Sequence, residues 1–538
     1  MPFVNMANDE IIETLELTGK LIDLHEDNPF KSKAYANAAF KLNKLRYDFE
    51  GKSKGDIEGI EGIGKSMASK IMELLEHGEL KELKELIEKT PIGVIDMMGI
   101  KGLGPKKVRA LWQELNIESV GELLYACNEN RLVTLKGFGD KTQKAVKQSI
   151  EFKIANNNKF HYSTLEKPVN QLMAAIKAQQ PGIQIALLGD LARKMEVIES
   201  IEVLIDQALE KDYSALEHMI PLKINFHLCE ANLFNYKLIE GSSTKEHLEK
   251  INFASLVPAF FSDEDSVYAK LGLPFIQTEL REGLTEVDAA KQNKIPQLIT
   301  LDDLKGILHN HSTYSDGVNT LKEMADYCQS LGYAYFGICD HSKSAFYANG
   351  LSIERVLAQQ IEIDQLNEQY QNFKILKGIE SDILNDGSLD YPDVILKTFD
   401  FIVASVHSNL KMTEEKANQR LIKAIENPYT NILGHPTGRL LLARPGYPIN
   451  HKLIIDACAS NNVSIELNAH PYRLDIDWRW IPYCIEKGVK ISINPDAHQM
   501  QGFHDMHYGV CVARKGMLSK KHCLNTFTLN ELYTAFKK

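Results

Sequence analysis

From residue 306 onward, seven short apolar stretches of the sequence each end on a histidine or a carboxylate. The stretches cover residues 306–308, 335–339, 375–379, 401–406, 431–434, 463–465 and 489–493. Helical stretches separate them, and short buried strands that alternate with helices predict a parallel barrel, whose active site lies where the strands end. Seven strand ends this rich in histidine, aspartate and glutamate predict a multinuclear metal site.

Two tripeptides place pairs of metal-binding side chains on one face of an extended segment. In His309-Asn310-His311 and Asp496-Ala497-His498, the first and third side chains point the same way, because side chains alternate along a strand. Eleven of the chain's 17 histidines lie after residue 305. Any one of them alone is more often a packing or surface residue. Together with carboxylates they favour ions such as Zn²⁺, Mn²⁺ or Fe²⁺ over Mg²⁺ alone.

The overall composition is typical of a soluble protein with several domains. The 538 residues are enough for several cores, and they include no apolar stretch that could cross a membrane. The first residues lack the pattern of a secretory signal, and the eight cysteines include no Cys-x-x-Cys pair. We therefore expect a reduced, cytoplasmic protein with no membrane partner. The net charge of −11 neither indicates nor excludes nucleic-acid binding. The oligomeric state stays open, and a monomer is compatible with the sequence.

The first 150 residues predict helices joined by a repeated glycine turn. Residues 9–50 have a helical pattern, and between 55 and 150 an apolar residue, Gly-x-Gly and a helix start recur three times. Each copy resembles a helix-hairpin-helix, whose backbone N–H groups meet a DNA phosphate. Three structural turns in a helical domain are the alternative. The expected contacts to DNA, directed at the backbone and independent of base sequence, come from Gly62, Gly64, Lys65, Gly102, Gly104, Lys106, Gly137, Gly139 and Lys141.

The middle of the chain alternates strands with helices and then becomes irregular. Strands are predicted at residues 183–188, 200–205 and 222–228, and the irregular segment runs to about residue 303. With this order in view, the chain resembles bacterial family X DNA polymerases (PolX), which carry a C-terminal polymerase-and-histidinol-phosphatase (PHP) domain. The segments that look like family signatures are residues 271–276, 279–283, 314–317 and 505–509.

The resemblance implies a multidomain α/β protein. An N-terminal helical, lyase-like domain with the first hairpin would cover residues 1–90, and a fingers-like region with the other two hairpins residues 91–155. A nucleotidyltransferase-like α+β palm would cover residues 156–240, and a thumb-like region residues 241–303. The PHP domain, a distorted (β/α)7 barrel, would cover residues 304–538.

The PHP resemblance also implies a specific metal centre. Such domains hold three divalent ions, here Mn²⁺ and/or Zn²⁺ with Fe²⁺ as a further candidate, on nine ligands. The matching positions are His309, His311, Asp316, His341, Glu380, His407, His435, Asp496 and His498. We expect Asp340 to orient a ligand imidazole. Arg439 is the first candidate for a clamp on the substrate phosphate, ahead of Arg473 and Lys343, although each could equally form a surface ion pair.

The polymerase core departs from the family pattern where it holds magnesium. Family X polymerases use three aspartates, an Asp-x-Asp pair and a third on a neighbouring strand. Counting from the Gly189-Asp190 turn, these positions hold Ser200, Glu202 and Asn225. Serine and asparagine are poor ligands for a hard dication, so loss of polymerase activity is expected. Ala192 also stands where a basic residue is expected.

Family members with lyase activity use a lysine of the first hairpin for this reaction, and Lys70 occupies the matching position. There, Lys70 would form a Schiff base with a deoxyribose aldehyde. Lys31, Tyr35 and Ser66 fall where contacts to the phosphate would be expected, although serine carries no charge. The alternative is that Lys70 is a solvated lysine on a helix surface.

Three functions follow from these features. The first is a metal-dependent 3′–5′ exonuclease, or a related 3′-end-processing phosphoesterase, that acts on DNA in repair. The second is an active gap-filling DNA polymerase with a PHP exonuclease. The third is a non-enzymatic DNA-binding scaffold. The complete ligand set favours the first.

Overall fold

The computed structural model describes residues 8–26, 28–45, 49, 52–60, 62–155, 159–211, 213–217 and 220–537. The chain divides into two compact units, Met1–Glu151 and Phe152–Lys538. The finer division into five segments stays a prediction. Within the described ranges, no helix is both long and apolar enough to cross a membrane.

The first unit is helical, as the sequence predicts. Its helices are α1 (Asn8–His25), α2 (Pro29–Leu45), α3 (Lys54–Glu58), α4 (Lys65–His77), α5 (Lys81–Glu88), α6 (Ile92–Met97), α7 (Pro105–Leu115), α8 (Val120–Asn128) and α9 (Asp140–Ala155). Helices α1 and α2 pack closely because Gly19 lies against Tyr35, and Ala38 is fully buried. The three Gly-x-Gly turns precede α4, α7 and α9.

The second unit begins with a small mixed sheet. A short pair, β1 (Phe160–His161) and β3 (Val197–Ile198), flanks the sheet of β2 (Ile185–Leu188), β4 (Ile201–Ile205) and β5 (Ile224–Leu228). Strand β4 lies in the middle, antiparallel to β2 and parallel to β5. Helix α10 (Tyr162–Gln179) contributes Leu165, Val169, Leu172 and Ile176 to its core. The other helices here are α11 (Gly189–Ala192) and α12 (Ser214–Glu217).

Residues 229–305 form short helices and turns rather than an extended sheet. The helices are α13 (Phe234–Ser242), α14 (Lys245–Lys250), α15 (Glu264–Lys270) and α16 (Glu286–Lys291). A buried polar network joins them: His247 bonds Glu286 and the Tyr268 hydroxyl, at 2.7 and 2.9 Å. Arg281 is fully buried and bonds Ser242 and Glu264.

The C-terminal part is a nearly closed parallel barrel, which confirms the predicted fold. Its strands are β6 (Gly306–Ile307), β7 (Tyr335–Ile338), β8 (Lys374–Asp382), β9 (Phe401–Ser405), β10 (Ile432–Leu433), β11 (Ser464–Asn468) and β12 (Ile491–Asn494), side by side in that order. The two edges meet at a parallel bridge between Asn310 and Ala497. All carboxyl ends therefore converge on one mouth.

Helices surround this barrel and alternate with its strands. They are α17 (Leu321–Ser330), α18 (Ile353–Asn367), α19 (Asp393–Leu396), α20 (Glu414–Ile425), α21 (His451–Ser460), α22 (Ile481–Glu486), α23 (Met506–Lys515) and α24 (Leu529–Phe536). Neighbouring residues of a strand pack in two different hydrophobic cores. In β9, Ile402 packs in the larger core, whereas Phe401 and Val403 pack in the smaller core with Leu532 of α24. This alternation directs every second side chain of a strand to the same face.

Candidate metal centre and nucleic-acid interface

The strand ends of the barrel bring the nine predicted metal ligands into one buried cluster. Local conformation helps, because three of them have positive φ angles, which non-glycine residues rarely adopt outside sites that need them: +58° at His309, +21° at His435 and +52° at Asp496. The backbone thus turns sharply just after three strands. The converging side chains are those of His309, His311, Asp316, His341, Glu380, His407, His435, Asp496 and His498.

Glu380 lies at the centre of this cluster, with imidazoles facing both of its oxygens. Its Oε1 is 3.3 Å from Nε2 of His309, 3.1 Å from Nε2 of His407 and 3.0 Å from Nε2 of His435. Its Oε2 is 2.8 Å from Nδ1 of His341. A carboxylate with different neighbours on its two oxygens is placed to bridge two ions.

The ligand atoms fall into overlapping groups. Within each group, found among the described residues, the ligand atoms lie within 4.8 Å of one another. The groups made by barrel residues alone are His311 with Asp316, His341 and His498; His309 with His311 and Asp496; and His341 with Glu380 and His407. His311 and His341 each belong to two groups, as expected where neighbouring ions are close together.

Hydrogen bonds to carboxylate and carbonyl oxygens fix which nitrogen of several imidazoles can bind a metal. Nδ1 of His309 donates to Glu466 Oε2 at 2.6 Å, and Nδ1 of His407 donates to Asp382 Oδ1 at 2.5 Å. Nδ1 of His498 donates to the carbonyl oxygen of Asp496 at 2.9 Å. Because these oxygens only accept, the proton is on Nδ1, and the Nε2 lone pair is available to a metal ion.

Unpartnered polar atoms show that the cluster suits cations. Within the described part of the chain, Nε2 of His309, Nδ1 of His311, Nε2 of His341, Nδ1 of His435 and Oε2 of Glu380 are buried without a hydrogen bond. A buried polar atom without a partner is costly, whereas lone pairs of imidazole and carboxylate are the usual ligands of Zn²⁺ and Mn²⁺. The donor set therefore fits divalent ions.

Electrostatics also favour the deprotonated carboxylate. Burial raises the pKa of Glu380, but the neighbouring His407, His309 and His341 outweigh burial and hold that pKa well below its usual range. Burial likewise lowers the pKa of His407, but Glu380 and Asp382 raise it to about 9, so a metal ion that bound Nε2 would displace a proton from it. Glu380 is thus in the charged form that binds a metal ion.

Two carboxylates that hold the ligands in place have no assigned role in the sequence analysis. Glu466 ends one of the apolar stretches, yet it bonds His309 and also accepts from Asn468 and Asn494, at 3.1 and 2.9 Å. Asp382, the partner of His407, is two residues after Glu380 on β8 and so lies on the same face. That two-residue spacing is the sequence signal for Asp382.

Asp340 does not have the contact that we predicted. Instead of orienting an imidazole, its carboxylate accepts from the backbone N–H groups of Ser312 and Ser315, from both hydroxyls and from Gln359. Burial raises the pKa of Asp340 despite these hydrogen bonds. Asp340 therefore holds the turn that leads to the ligand Asp316.

The predicted clamp Arg439 is also engaged within the protein. Its guanidinium donates to Asp477 at 2.7 Å, to the Arg473 carbonyl at 3.0 Å and to the Leu474 carbonyl, so it does not serve as a free clamp. Arg473 is buried, and after burial its charge contributes most to lowering the pKa of His435. Lys343 is exposed beside the Tyr391 ring, 5.8 Å from its centroid.

The three Gly-x-Gly turns share one geometry. The first glycines, Gly62, Gly102 and Gly137, have φ angles of +89°, +92° and +91°, in the left-handed region that favours glycine. In each turn the next residue donates to the carbonyl oxygen three residues earlier, at 3.0 Å. The second glycine then starts the helix. Gly64 and Gly104 are N-caps without a side-chain hydrogen bond.

The second glycines have no internal structural need to be glycine. The φ angles of Gly64 and Gly104 are −81° and −90°, which any residue adopts. A Cβ at Gly64, Gly104 or Gly139 would meet no atom within 4 Å. Close approach of an external backbone remains the physical reason for glycine there. Lys65, Lys106 and Lys141 are exposed beside these turns.

Three of the predicted lyase residues form ion pairs or hydrogen bonds with acidic side chains. Lys70 Nζ lies 2.9 Å from Glu73 Oε2, Tyr35 donates to Glu82 at 2.8 Å, and Lys31 forms an ion pair with the same Glu82. The geometry favours the interpretation of Lys70 as a lysine of the helix surface.

Comparison with known proteins finds matches to the helical first unit and to the barrel. The profile of a helix-hairpin-helix domain matches residues 6–80, that of a SAM-like helix-hairpin-helix tandem residues 94–151, and that of the PHP domain residues 308–470. The DNA polymerase/3′-5′ exonuclease PolX of Bacillus subtilis (strain 168) is 32% identical over 574 aligned residues, covering 99% of this chain and 100% of that protein. The chain belongs to the PolX family. A probable phosphatase of Acetivibrio thermocellus is 29% identical over 202 residues, 35% of this chain and 78% of that protein.

Two general properties of this PolX-family chain follow from these matches. The PHP domain and the phosphatase relatives identify a hydrolytic enzyme of a metal-dependent family, with the ligand cluster described above. The hairpin domains and the PolX relative identify a DNA-binding protein.

The small mixed sheet brings together the positions for which the family pattern predicts aspartates. On neighbouring strands, Glu202 pairs with Asn225, whose side-chain amide donates to Glu202 Oε1 at 3.0 Å. His227, which we did not predict, lies 2.5 Å from Glu202 Oε2. Burial raises the pKa of Glu202, but hydrogen bonds with His227, Asn225 and Ser200 lower it overall. Because His227 is two residues after Asn225, strand periodicity could have predicted it.

Proposed function

We propose that this protein is a metal-dependent 3′–5′ exonuclease, or a closely related 3′-end-processing phosphoesterase, that acts on DNA in repair. In this proposal the polymerase core is inactive and serves as a platform that holds DNA. One observation carries the proposal: nine histidines and carboxylates that could hold metal ions converge at the mouth of the barrel, whereas the three matching positions of the small mixed sheet hold one carboxylate. The B. subtilis relative, named for both activities, supports the choice of DNA as substrate.

The residues of the cluster have distinct roles in this proposal. Divalent ions bound there would supply a hydroxide nucleophile and stabilise the negative charge that develops on the phosphoryl oxygens. Glu380 stays deprotonated between the imidazoles on its two oxygens. Glu466 and Asp382 keep the Nε2 lone pairs of His309 and His407 directed at the cluster. Asp340 holds the turn before Asp316.

The proposed loss of polymerase activity rests on the engagement of Glu202. Both of its oxygens are engaged by neighbouring side chains, Oε1 by Asn225 and Oε2 by His227, instead of facing further carboxylates. Two-metal phosphoryl transfer needs carboxylates that bridge the ions. A primer-extension assay on gapped DNA tests this part. Template-dependent incorporation that disappears in Glu202→Ala would contradict it.

The exonuclease is tested with 3′-labelled single-stranded and gapped DNA in Mn²⁺, with and without deoxynucleotides. We expect release of the 3′ label, which is abolished by EDTA and by His309→Ala. His522→Gln is the matched control, because this histidine of the same barrel lies outside the ligand groups. If the unmodified protein binds the DNA without hydrolysing it, the scaffold function is favoured instead. Extension of the DNA in the presence of deoxynucleotides would favour the polymerase.

The hairpin turns provide a prediction that separates DNA contact from folding. In Gly104→Asp, the new carboxylate caps the N–H groups of α7 and occupies the place of a phosphate. We expect DNA affinity to fall by about 1.5–3 kcal/mol, the usual value of a hydrogen bond to a charged group. The melting temperature should stay equal or rise slightly, because aspartate is a better N-cap than glycine. Fluorescence anisotropy and thermal melts measure the two effects.

Gly104→Asn is the control for this variant. Asparagine caps the helix as well as aspartate but brings no negative charge, so its effect on DNA affinity should be smaller and less dependent on salt. Equal affinity of Gly104→Asp and the unmodified protein at low salt would show that this turn does not contact phosphate.

An exposed aromatic residue beside the metal centre is expected to bind the end of the substrate. Phe346 is 89% exposed, and the ring of the adjacent Tyr347 lies 6.2 Å from that of His341. The loop is held in place, since Ser344 donates to Asp390 through both its backbone and its hydroxyl. An exposed phenyl ring on a hydrogen-bonded loop suits stacking on a base. We expect Phe346→Ala to raise the KM for single-stranded DNA by roughly 5- to 150-fold, from about 1–3 kcal/mol of stacking.

Two measurements distinguish stacking from a general defect. Phe346→Trp should keep the low KM, because it keeps a flat ring. Hydrolysis of a small substrate with no base, such as bis(p-nitrophenyl) phosphate, should be unchanged in Phe346→Ala. If both substrates are affected equally, the residue does not act through the base.

A further inference from the structure

Two loops at the mouth of the barrel are bonded to each other. One of them, residues 435–444, follows β10 and begins with the candidate ligand His435; the other, residues 469–477, follows β11. We name them the mouth loops. Leu441 of the first loop donates its backbone N–H to the carbonyl oxygen of Tyr472 in the second, at 2.7 Å. The position of one loop therefore depends on the position of the other.

The chain directly after His435 is held by Asp475 of the second mouth loop. One carboxylate oxygen of the fully buried Asp475 accepts from the backbone N–H and the hydroxyl of Thr437, both at 2.9 Å. The same oxygen accepts from the backbone N–H of Gly438 at 3.0 Å. A displacement of the second loop would thus be transmitted to the two residues that lie closest after His435 on the first.

His161 of β1, in the small mixed sheet, contacts both mouth loops. Its Nε2 donates to the carbonyl oxygen of Leu441 at 3.0 Å, since a carbonyl oxygen only accepts. Its ring stacks on Tyr472, with centroids 4.1 Å apart and an interplanar angle of 20°. Burial lowers the pKa of His161 to about 4, so the ring is uncharged at neutral pH. His161 therefore contacts the same two residues that bond the loops to each other.

Glu196, just before β3, supplies a carboxylate that the mouth loops lack. Arg439 of the first loop and Arg479, just after the second, both pair with Asp477, at 2.7 and 3.0 Å. Glu196 Oε1 lies 3.4 Å from Arg479 and 4.0 Å from Arg439, and its side chain is 7% exposed. Without Glu196, two guanidinium groups would share one carboxylate. Because Arg439 also donates to two carbonyl oxygens of the second loop, its position affects both loops.

The two contacts come from one firmly attached part of the sheet. Strand β1 pairs with β3, and Tyr162 donates its backbone N–H to the carbonyl oxygen of Glu196 at 3.1 Å. Met195 packs against the core of the small mixed sheet and also against the larger core of the barrel. His161 and Glu196 therefore belong to a rigid support beside the mouth loops.

We propose that His161 and Glu196 are positioning residues of the metal centre. They hold the mouth loops, and through them His435, in the arrangement that binds a divalent ion. Neither residue belongs to the ligand groups found among the described residues, so both act through the loops. This inference rests on the proposed function of the barrel. It gives the small mixed sheet a part in hydrolysis although its own three metal positions hold one carboxylate.

Mn²⁺ binding tests the proposal without DNA. Mn²⁺ is titrated by calorimetry into the metal-free, full-length protein. His161→Phe keeps a ring on Tyr472 but removes the donor to Leu441, and Glu196→Gln removes the charge beside the two arginines. We expect each variant to bind Mn²⁺ roughly tenfold more weakly, the lower end of the effect of groups that orient metal ligands. At saturating Mn²⁺ the release of a 3′ label from DNA should approach the unmodified rate, because all nine ligands remain.

Three further variants separate positioning from a general defect. His161→Gln keeps an N–H that can reach the Leu441 carbonyl, so its Mn²⁺ affinity should stay close to that of the unmodified protein. Glu199→Gln is the charge control, since Glu199 pairs with Lys159 at 2.6 Å and is exposed. Arg514→Gln breaks an ion pair with Glu279, at 2.6 Å, that lies outside the mouth loops. It should lower the melting temperature and leave Mn²⁺ affinity unchanged.

The outcomes separate this proposal from the proposed function. Unchanged Mn²⁺ affinity in both His161→Phe and Glu196→Gln would overturn it, as would an equal loss of affinity in Arg514→Gln. If His161→Phe does not fold by thermal melt, Glu196→Gln decides alone. An unmodified protein that binds Mn²⁺ but releases no label would contradict the exonuclease, while the Mn²⁺ affinities would still decide the role of His161 and Glu196.

Discussion

Glu380→Gln is expected to abolish hydrolysis. The glutamine is neutral and nearly the same size, so it removes the charge that faces four imidazoles at 2.8–3.3 Å while keeping the packing. Removing one partner of a buried ionic cluster costs about 3–5 kcal/mol, and every 1.4 kcal/mol is a factor of ten. Metal affinity should therefore fall by roughly 10²- to 4 × 10³-fold. Metal content by mass spectrometry and the initial rate of DNA shortening in Mn²⁺ measure the effect.

The control for this variant is Glu368→Gln. Glu368 is an exposed glutamate at the end of α18 in the same barrel, and its change should alter neither metal content nor rate. A Glu380→Gln protein that keeps both its full metal content and its rate would show that this carboxylate does not bridge ions. The metal centre would then need another bridging group.

Glu466→Gln is expected to have the second-largest effect, although this carboxylate need not touch a metal ion. It is fully buried, accepts the Nδ1–H of His309 at 2.6 Å and accepts the backbone N–H of His435 at 3.3 Å. A glutamine can present its N–H₂ to Nδ1 and so allow the wrong tautomer of His309. Loss of such a supporting carboxylate typically costs 10- to 100-fold in metal affinity or activity. Excess Mn²⁺ should therefore restore part of the rate.

Rescue by metal separates this role from that of Glu380. In Glu466→Gln, the rate should rise with Mn²⁺ concentration toward that of the unmodified protein, because the ligands remain present. Glu426→Gln, at the exposed C-cap of α20, is the control for a charge change in the same barrel. A rate that stays low at saturating Mn²⁺ with full metal content would mean that Glu466 acts in the chemical step instead.

Much of the barrel could be predicted because its signals are local. Each of the seven predicted strands is found, since an apolar run bounded by a polar turn determines strand formation over a few residues. The same holds for the hairpin turns, where Gly62 needs a positive φ for a turn of four residues. The interior position of Glu380 follows from the two-residue period of β8.

The errors concern side chains that could reach several partners. Arg439 is next to the ligand loop in sequence, but its flexible side chain reaches carbonyl groups and a carboxylate more than 30 residues away. Asp340 is adjacent to His341, yet adjacent residues on a strand point to opposite faces, so Asp340 bonds the serine turn. His227 was missed because the family pattern directs attention to Asn225 alone.

By itself, the sequence determined the residue types at the strand ends, the hairpin turns and the presence of Ser200 and Asn225 where the family pattern predicts aspartates. These depend on residue identity and on periods of two to four residues. Only the tertiary structure decided which groups support the ligands. Glu466 meets His309 across 157 residues because barrel closure brings β11 and the segment after β6 to one mouth. His161 likewise meets Leu441 across 280 residues, a contact that no local pattern records.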